Sequence, residues 1–262
     1  MSFENPRAFQ GKGVTTWEGL IKSVRAKVKG TKVKIRLGAS SGEWKAMVAD
    51  EAARTTFAKN IKTVLEKNKL DGIDLDFEWA ENEKEYKDYS LAILKMREVL
   101  GNKYLFSVSL HPVCYKISKE AIEAVDFISL QCYGPSPVRF PIEKYCSDIQ
   151  MVLEYGIPKE KLVAGVPFYG VTKDNSKKTE AYFNFVQNGL VTSPAQNEVI
   201  YQGDTYVFDG QDNIRIKTRY AKEQKLKGMM SWDLATDLPL SDSRSLLKTM
   251  TEELRELSLI HI

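Results

Sequence analysis

The sequence predicts an α/β protein built around a parallel β-sheet, and two observations carry this prediction. Short apolar strands alternate along the chain with amphipathic helices, and the strand LVAGVPFY at 162–169 is apolar along nearly its whole length. Such strands are typical of parallel sheets that are covered by helices. The alternation yields six strands, each with a helix beside it. This count fits an open doubly wound sheet, and it also fits a (β/α)8 barrel that lacks its first two strands.

The individual elements follow from residue spacing and from stop signals. Apolar residues recur at helical spacing in each predicted helix, and glycines or a capping serine mark several helix ends. After a polar loop at 1–13, helices are predicted at 14–30, 53–69, 86–100, 118–125, 141–155, 180–188, 214–226 and 243–256. Strands are predicted at 32–39, 71–79, 104–110, 126–133, 162–169 and 228–232, with a hairpin at 201–210.

The composition is that of a globular protein with a substantial core. The chain has 262 residues, of which 43% are hydrophobic and 28% are charged. A net charge of +3, with lysines spread among acidic residues, does not indicate a nucleic-acid-binding protein. No apolar run approaches the ~20 residues of a membrane span, and no signal peptide opens the chain.

The scarcity of histidine and cysteine narrows the chemistry. Only His111 and His261 are present, which disfavours a Ser/His or Cys/His nucleophilic enzyme and a His-ligated metal. Cys114, Cys132 and Cys146 lack metal-ligand spacing and are expected to be free thiols, mostly in the core. The sequence therefore predicts neither a metal nor a cofactor.

The stretch DGIDLDFEW at 71–79 is the candidate functional element. Its acidic residues Asp74, Asp76 and Glu78 alternate strictly with apolar ones, which predicts a β-strand with one apolar face and three carboxylates in file on the other, each roughly 6–7 Å from the next. Because fully ionised neighbours repel, at least one is expected to hold a proton near neutral pH. Such a face must look into an interior space, which a barrel supplies and a helix-covered open sheet does not. The strand therefore favours the incomplete barrel.

The last acid of this file is the candidate general acid. At the C-terminal end of its strand, Glu78 would lie at the mouth where barrel enzymes carry out their chemistry. A carboxyl that is desolvated beside another carboxylate keeps its proton to higher pH and can donate it. Asp76, one pleat deeper, could exchange a proton or hydrogen bond with Glu78, and Asp74 could set the charge of Asp76. Two other interpretations stay open, namely an exposed edge strand and a divalent-metal site of hard carboxylate oxygens.

Other strand ends supply polar and aromatic groups. If Cys132 is buried under the helices, strand alternation turns Gln131 and Tyr133 inward. Trp232 ends the last strand, where its indole face could stack on the apolar face of a sugar ring, and Tyr169 is a weaker candidate of the same kind. Each of these residues also has an interpretation as simple core packing.

Together these residues resemble glycoside hydrolase family 18, the chitinases and endo-β-N-acetylglucosaminidases. The family motif Asp-Gly-x-Asp-x-Asp-x-Glu is complete at 71–78. Supporting matches are GVPFYG at 165–170, Tyr133, and GMMSW at 228–232. The resemblance implies a (β/α)8 barrel with about six of its eight strands present here, and an enzyme that hydrolyses β-1,4 bonds next to N-acetylglucosamine in chitin-like oligosaccharides.

The resemblance also implies substrate-assisted, retaining catalysis, an exception to the usual two-carboxylate schemes. Glu78 would protonate the glycosidic oxygen while the 2-acetamido carbonyl of the substrate attacks the anomeric carbon. Asp76 would accept a hydrogen bond from the acetamido N–H with Asp74 behind it, and Tyr133 would hydrogen-bond the acetamido oxygen. The substrate-binding residues would be Trp232, Gln131 and Tyr169.

The sequence departs from the family pattern at one short segment and at three single residues. The family's Ser-x-Gly-Gly is replaced by RLGA at 36–39, an acid or amide by Gly134, and the arginine of many chitinases by Val171. Gln131 stands where chitinases have methionine and is closer to plant-type chitinases and endo-β-N-acetylglucosaminidases. Two alternatives to a chitinase therefore stay open: an endo-β-N-acetylglucosaminidase acting on the chitobiose core of N-glycans, and a non-catalytic, lectin-like chitin- or glycan-binding protein.

The final expectations concern the extent of the chain and its surroundings. Residues 1–256 are expected to form a single catalytic barrel domain, as a fragment of a longer reading frame that contains the first two strands. Residues 257–262, LSLIHI, resemble translated sequencing-adapter read-through. We expect a monomer that binds a glycan containing N-acetylglucosamine and binds no nucleic acid. A secreted, periplasmic or cell-surface location is expected for the full-length parent.

Overall fold

The computed structural model describes residues 17–40, 43–133, 140–174 and 178–256. Strands and helices alternate through these ranges. The helices are α1 (Trp17–Val28), α2 (Trp44–Ala49), α3 (Glu51–Asn68), α4 (Glu83–Leu100), α5 (Lys119–Ala124), α6 (Ile142–Tyr155), α7 (Tyr182–Gln187), α8 (Gln211–Glu223) and α9 (Leu246–Glu256). The strands are β1 (Arg36–Ser40), β2 (Gly72–Asp76), β3 (Leu105–Leu110), β4 (Phe127–Leu130), β5 (Leu162–Pro167), β6 (Tyr169–Thr172), β7 (Thr179–Ala181), β8 (Glu198–Tyr201), β9 (Asp204–Val207) and β10 (Gly228–Trp232).

The first of two compact units contains Met1–Val108 and Glu123–Asp126. Its strands β1, β2 and β3 are neighbours and run parallel, with Gly72 opposite Arg36 on one side and opposite Leu105 on the other. A Cβ at Gly72 would lie 2.0 Å from the Leu105 carbonyl oxygen, so only glycine fits there. The helices α3 and α4 supply apolar side chains that are almost completely removed from solvent: Phe57, Ile61, Leu65, Ile93 and Met96.

The second unit contains Ser109–Ile122 and Phe127–Ile262. Its strands β4, β5 and β10 are parallel neighbours. A separate antiparallel sheet has the strand order β7-β6-β9-β8. The hairpin β8–β9 turns at Gln202 and Gly203, whose φ angles are 52° and 87°. Two successive residues at positive φ form the tight turn that suits the twist of a hairpin. The hairpin predicted at 201–210 is therefore present, but it spans 198–207.

Several predicted boundaries move. Helix α4 begins three residues before the predicted start because Asn82 caps it, accepting the Glu85 N–H at 3.0 Å. The predicted cap of α5 is confirmed, since the Ser118 hydroxyl accepts the Ala121 N–H at 3.2 Å. Helix α3 ends before Lys69, which adopts a left-handed φ of 53°. Helix α2 was not predicted at all.

The strand predicted at 162–169 is wrong as a single element. Strand β5 ends at Pro167, and the Phe168 N–H donates to the Trp232 carbonyl oxygen at 2.8 Å. Tyr169 then starts β6, where it pairs with Ala181 in the antiparallel sheet. An apolar run does not reveal where a chain leaves one sheet for another, because both strands bury apolar residues.

Some expectations fall outside the described residues. These are the loop at 1–13, the start of the first helix, Gly134 and the tail at 257–262. That residues 1–256 form one catalytic domain stays a prediction. In the described part of the chain, no helix combines the length and apolar character needed to cross a membrane.

Candidate active site

The acidic strand β2 has the alternation that the sequence predicts. Its apolar face is buried in the core: Ile73, Leu75 and Phe77 are each at most 2% exposed. On the other face Asp74 and Asp76 are half-buried. Glu78 lies two residues beyond the end of the strand and its side chain is exposed. The expectation that this carboxyl is desolvated is therefore wrong, since the Glu78 side chain is in contact with solvent.

An aromatic cluster holds the main chain at Glu78. Trp44 of α2 is 1% exposed and stacks on Phe77 with ring centroids 5.3 Å apart. Its indole N–H donates to the Glu78 carbonyl oxygen at 3.0 Å. Tyr89 of α4 packs against both rings. The peptide bond that follows, Glu78–Trp79, is cis. The main chain that carries Glu78 is thus fixed from the apolar side of the strand.

Sequence reasoning missed Trp44. At six residues, α2 is too short to produce a periodic pattern. The available sequence signal was the spacing of two apolar residues, Trp44 and Val48, which lie four residues apart. In the structure both are buried.

Ion pairs order the segment that follows Glu78. The Lys45 ammonium lies 3.0 Å from the Glu81 carboxylate and 2.9 Å from that of Glu85, and the Glu81 N–H donates to Glu85 at 2.8 Å. The hydrogen bonds to Glu85 and Glu81 raise the pKa of Lys45. The Glu81 N–H, followed by Lys45, lowers the pKa of Glu85. These contacts connect α2 to the start of α4 around the Glu78 segment.

Asp74 is held by side chains of both neighbouring strands. The Ser107 hydroxyl of β3 donates to Asp74 Oδ1, and Arg36 Nη1 of β1 donates to Ser107 Oγ. Arg36 Nη1 also lies 3.9 Å from Asp74 Oδ1. In the sequence, Arg36 is recognisable only as a departure from a family pattern. Its contact with Asp74 depends on strand order and register, which the sequence does not display.

In the second unit, Tyr133 and Tyr169 pack together. Their rings meet edge to face with centroids 6.4 Å apart, and the Tyr133 hydroxyl lies 3.9 Å from the Met230 sulfur. Tyr133 is 6% exposed. Gln131 is also buried, and its main-chain N–H donates to the Leu110 carbonyl oxygen at 2.9 Å. Residues that follow β4, begin β6 and lie in β10 therefore share one cluster.

Trp232 ends β10 with its side chain 55% exposed. Its carbonyl oxygen accepts the Phe168 N–H, so its main chain is fixed while its indole faces solvent. The peptide bond Trp232–Asp233 is cis. A fixed, exposed indole is suited to stacking on a flat apolar ligand surface.

Two further observations bear on the chemistry. Burial raises the pKa of the Cys132 thiol to about 12, so this sulfur is a core group and not a thiolate nucleophile. Among the described residues, no group of three or more His, Cys, Asp or Glu side chains is arranged to hold a metal ion. All three cysteines are free, and Cys114 and Cys132 are buried, as the sequence predicts.

The predicted site residues thus fall into two sets, one in each unit. The first unit holds the acidic set, Asp74, Asp76 and Glu78; the second holds Gln131, Tyr133, Tyr169 and Trp232. The family model that describes glycosyl hydrolases family 18 matches residues 7–237. The chain belongs to this family.

A curated relative of this family 18 chain is "Probable chitinase 2" of Drosophila melanogaster. The two are 23% identical over 273 residues, which covers 79% of this chain and 56% of the fly protein. This chain covers 39% of a second relative, chitinase A1 of Niallia circulans. The chain therefore spans about half the length of these two curated relatives.

Solved structures show the family 18 fold. A chitinase from Bacteroides thetaiotaomicron superposes with a TM-score of 0.83 at 21% identity, covering 98% of this chain and 88% of that one. A second structural neighbour, a chitinase-like agglutinin from Robinia pseudoacacia, has a TM-score of 0.75 at 20% identity, covering 90% and 84%. The fold is therefore the (β/α)8 barrel of family 18, of which six parallel strands lie in the described residues.

Proposed function

We propose that this chain acts as a chitinase-type glycosidase that cleaves β-1,4 bonds next to N-acetylglucosamine in chitin-like oligosaccharides. The observation that carries the proposal is the complete acidic motif at 71–78, placed on β2 and the residues just after it in a family 18 chain. The names of the fly and Bacteroides relatives support the substrate class.

In the proposed reaction Glu78 donates its proton to the glycosidic oxygen as the bond to the anomeric carbon breaks. The acetamido carbonyl oxygen of the substrate attacks the anomeric carbon and forms an oxazolinium ion, so the leaving sugar departs as an alcohol. Glu78, now a carboxylate, takes a proton from the incoming water, whose oxygen bonds to the anomeric carbon as the bond from that carbon to the acetamido oxygen breaks; this regenerates the acetamido group with net retention. The enzyme returns to its starting protonation state.

The described contacts suit these roles. Asp76 is half-buried, which favours a directed hydrogen bond to an acetamido N–H over one to bulk water. Glu78 is exposed and its main chain is anchored by Trp44, so the acid is accessible to a large substrate yet attached to a rigid segment. The family resemblance assigns Tyr133 to the acetamido oxygen and Trp232 to the sugar face.

Replacement of the acid tests the proposal directly. We expect Glu78→Gln to reduce turnover of a chromogenic chitobiose substrate by at least about a thousandfold, because an amide cannot donate the proton. Chitooligosaccharide affinity and the free energy of unfolding should change little, since the substitution is isosteric and exposed. Glu66→Gln, an exposed change on α3, is the matched control and should keep full turnover. Near-wild-type turnover by Glu78→Gln would disprove the assignment of the acid.

A lectin-like binding protein is the second candidate function. The similarity to a chitinase-like agglutinin favours it, as does the exposed Trp232. The presence of Glu78 argues for an enzyme. Calorimetric binding of chitotetraose by the wild-type chain, with no products detected by mass spectrometry, would select the lectin; product formation selects the enzyme.

An endo-β-N-acetylglucosaminidase is the alternative within the enzyme class, and Gln131 is the residue that favours it. Mass spectrometry of products from a panel of chitooligosaccharides and N-glycoproteins separates the two activities. Release of N-glycans without cleavage of chitotetraose would favour the endo-glycosidase.

A further inference from the structure

The guanidinium of Arg36 lies close to Asp74, the first of the three acids in file that begin on β2. Strand register pairs Asp74 with Gly38 of β1 on one side and with Ser107 of β3 on the other. Arg36, two residues before Gly38, projects from the same face of β1. Its Nη1 donates to the Ser107 hydroxyl, which donates in turn to Asp74 Oδ1. Arg36 Nη1 also lies 3.9 Å from the same carboxylate oxygen.

A glycine on β2 makes this reach feasible. Gly72 lies opposite Arg36 on β2, and Gly38 follows Arg36 on the same face of β1. Gly72 places no side chain between the arginine and Ser107, so the arginine stem can extend across β2 to the strand beyond. A Cβ at Gly38 would meet no atom within 4 Å, so this second glycine does not limit the position of Arg36.

The pair is partly shielded from water. The Arg36 side chain is 25% exposed, that of Asp74 is 18% exposed, and Ser107 is fully buried. Burial lowers the pKa of Arg36, and the nearby Asp74 and Asp126 act in the opposite direction. A guanidinium stays protonated at every pH at which such enzymes work, so Arg36 is a permanent positive charge here.

Charged and polar groups of both neighbouring strands lie beside Asp74. Arg36 on β1 is the cation, Ser107 on β3 is neutral, and Asp76 is the next acid on the same face of β2. Asp126, which follows α5, acts on Arg36 from further away. Asp74 and Asp76 are neighbouring carboxylates on one face of β2, and like charges disfavour joint ionisation, which the positive charge of Arg36 offsets.

We propose that Arg36 is a positioning residue of the glycosidase: it fixes the Asp74 carboxylate through Ser107 and neutralises its charge, so that Asp76 stays ionised and directed at the acetamido group. The inference rests on the proposed function for its catalytic consequence. Its structural part, the hold of Arg36 on Asp74, does not depend on that function. Arg36 does not touch the reacting atoms, so its effect should appear in kcat and not in KM.

The test compares Arg36→Met, Arg36→Lys and Ser107→Ala with the wild type across pH. We expect Arg36→Met to lower kcat about tenfold with KM nearly unchanged, and to move the acid limb of the pH–kcat profile up by about one unit, since an adjacent opposite charge shifts a carboxyl by that order. Arg36→Lys keeps the charge and should keep the acid limb near its wild-type position. Ser107→Ala should lower kcat without moving the limb.

Arg25→Met is the matched control, because Arg25 binds main-chain oxygens at the end of α3 and does not contact the acidic strand. It should leave both kcat and the profile unchanged. An equal shift of the acid limb in Arg36→Met and Arg36→Lys, or no shift in either, would overturn the charge role. Urea unfolding of each variant checks that a lost activity is not a lost fold.

A second measurement decides the structural part even if the wild type shows no turnover. In carbon-13 NMR, the side-chain carboxyl signal of Asp74 is assigned by its loss in Asp74→Asn. We expect this signal to change its chemical shift in Arg36→Met and to stay near its wild-type position in Arg36→Lys. Absence of turnover in the wild type with this NMR shift present refutes the proposed function alone. Absence of the NMR shift refutes the hold of Arg36 on Asp74.

Discussion

Glu78 and Trp232 are the two predicted site residues whose side chains are exposed. Glu78 follows parallel strand β2, and Trp232 ends parallel strand β10. In barrel enzymes the chemistry lies at these C-terminal strand ends. Because exposed side chains contribute little to folding, substitutions at both positions test function at small cost in stability.

Replacement of the indole tests glycan stacking. We expect Trp232→Ala to raise KM for chitooligosaccharides about tenfold, since the loss of a stacked aromatic costs about 1.4 kcal/mol in binding. The free energy of unfolding should stay within about 0.5 kcal/mol of wild type. Ile200→Ala removes another exposed apolar side chain, from β8, and is the control. Unchanged KM in Trp232→Ala would remove the indole from the binding surface.

At the scale of elements, a buried ion pair fixes the start of α8. The Lys217 ammonium lies 2.8 Å and 2.6 Å from the two carboxylate oxygens of Asp209, and both residues are 1% exposed. The rings of Phe140 and Tyr145 lie within 6 Å of the same ammonium. A buried pair of this kind is costly to break from one side, because the remaining charge has no compensation.

Two variants test this pair. Lys217→Met should lower the free energy of unfolding by about 3–5 kcal/mol, whereas the double variant Lys217→Met with Asp209→Asn should recover most of that loss because no buried charge remains. Urea titration measures both. Equal destabilisation of the single and double variants would show that packing, and not charge, accounts for the effect.

At the scale of the whole molecule, acid should unfold the chain as its paired carboxylates take up protons. Hydrogen bonds from the Arg244 guanidinium and then its main-chain N–H lower the pKa of Asp242 to about 2. The unfolded carboxyl titrates near about 3.9. Because the folded value is the lower one, this contribution is complete above pH about 4 and is lost as the pH falls through about 2.

The removal of the arginine tests that contribution. We expect the wild-type free energy of unfolding to fall between about pH 4 and about pH 2, and Arg244→Ala to fall less steeply over the same interval, because its Asp242 carboxyl titrates closer to the unfolded value. Arg215→Ala, which breaks an exposed ion pair with Asp212 on α8, is the control. Identical slopes for wild type and Arg244→Ala would contradict the expectation.

The sequence by itself determined the parallel α/β class, the apolar and acidic faces of β2, the cap at Ser118 and the β8–β9 hairpin. Each follows from local physics: the alternation of strand side chains, a hydroxyl that accepts a helix N–H, and a turn at Gln202–Gly203. The motif at 71–78 also indicated the family, because its residue types and spacing are highly specific.

Only the tertiary structure decided what surrounds that motif. Trp44 reaches the Glu78 carbonyl from a helix too short to leave a pattern, and Arg36 meets Asp74 because β1, β2 and β3 are neighbours in a particular register. The same holds for Tyr169, which starts β6 in the antiparallel sheet and does not continue β5. These contacts join residues far apart in the chain, and their partners are set by strand order and packing, which local sequence does not encode.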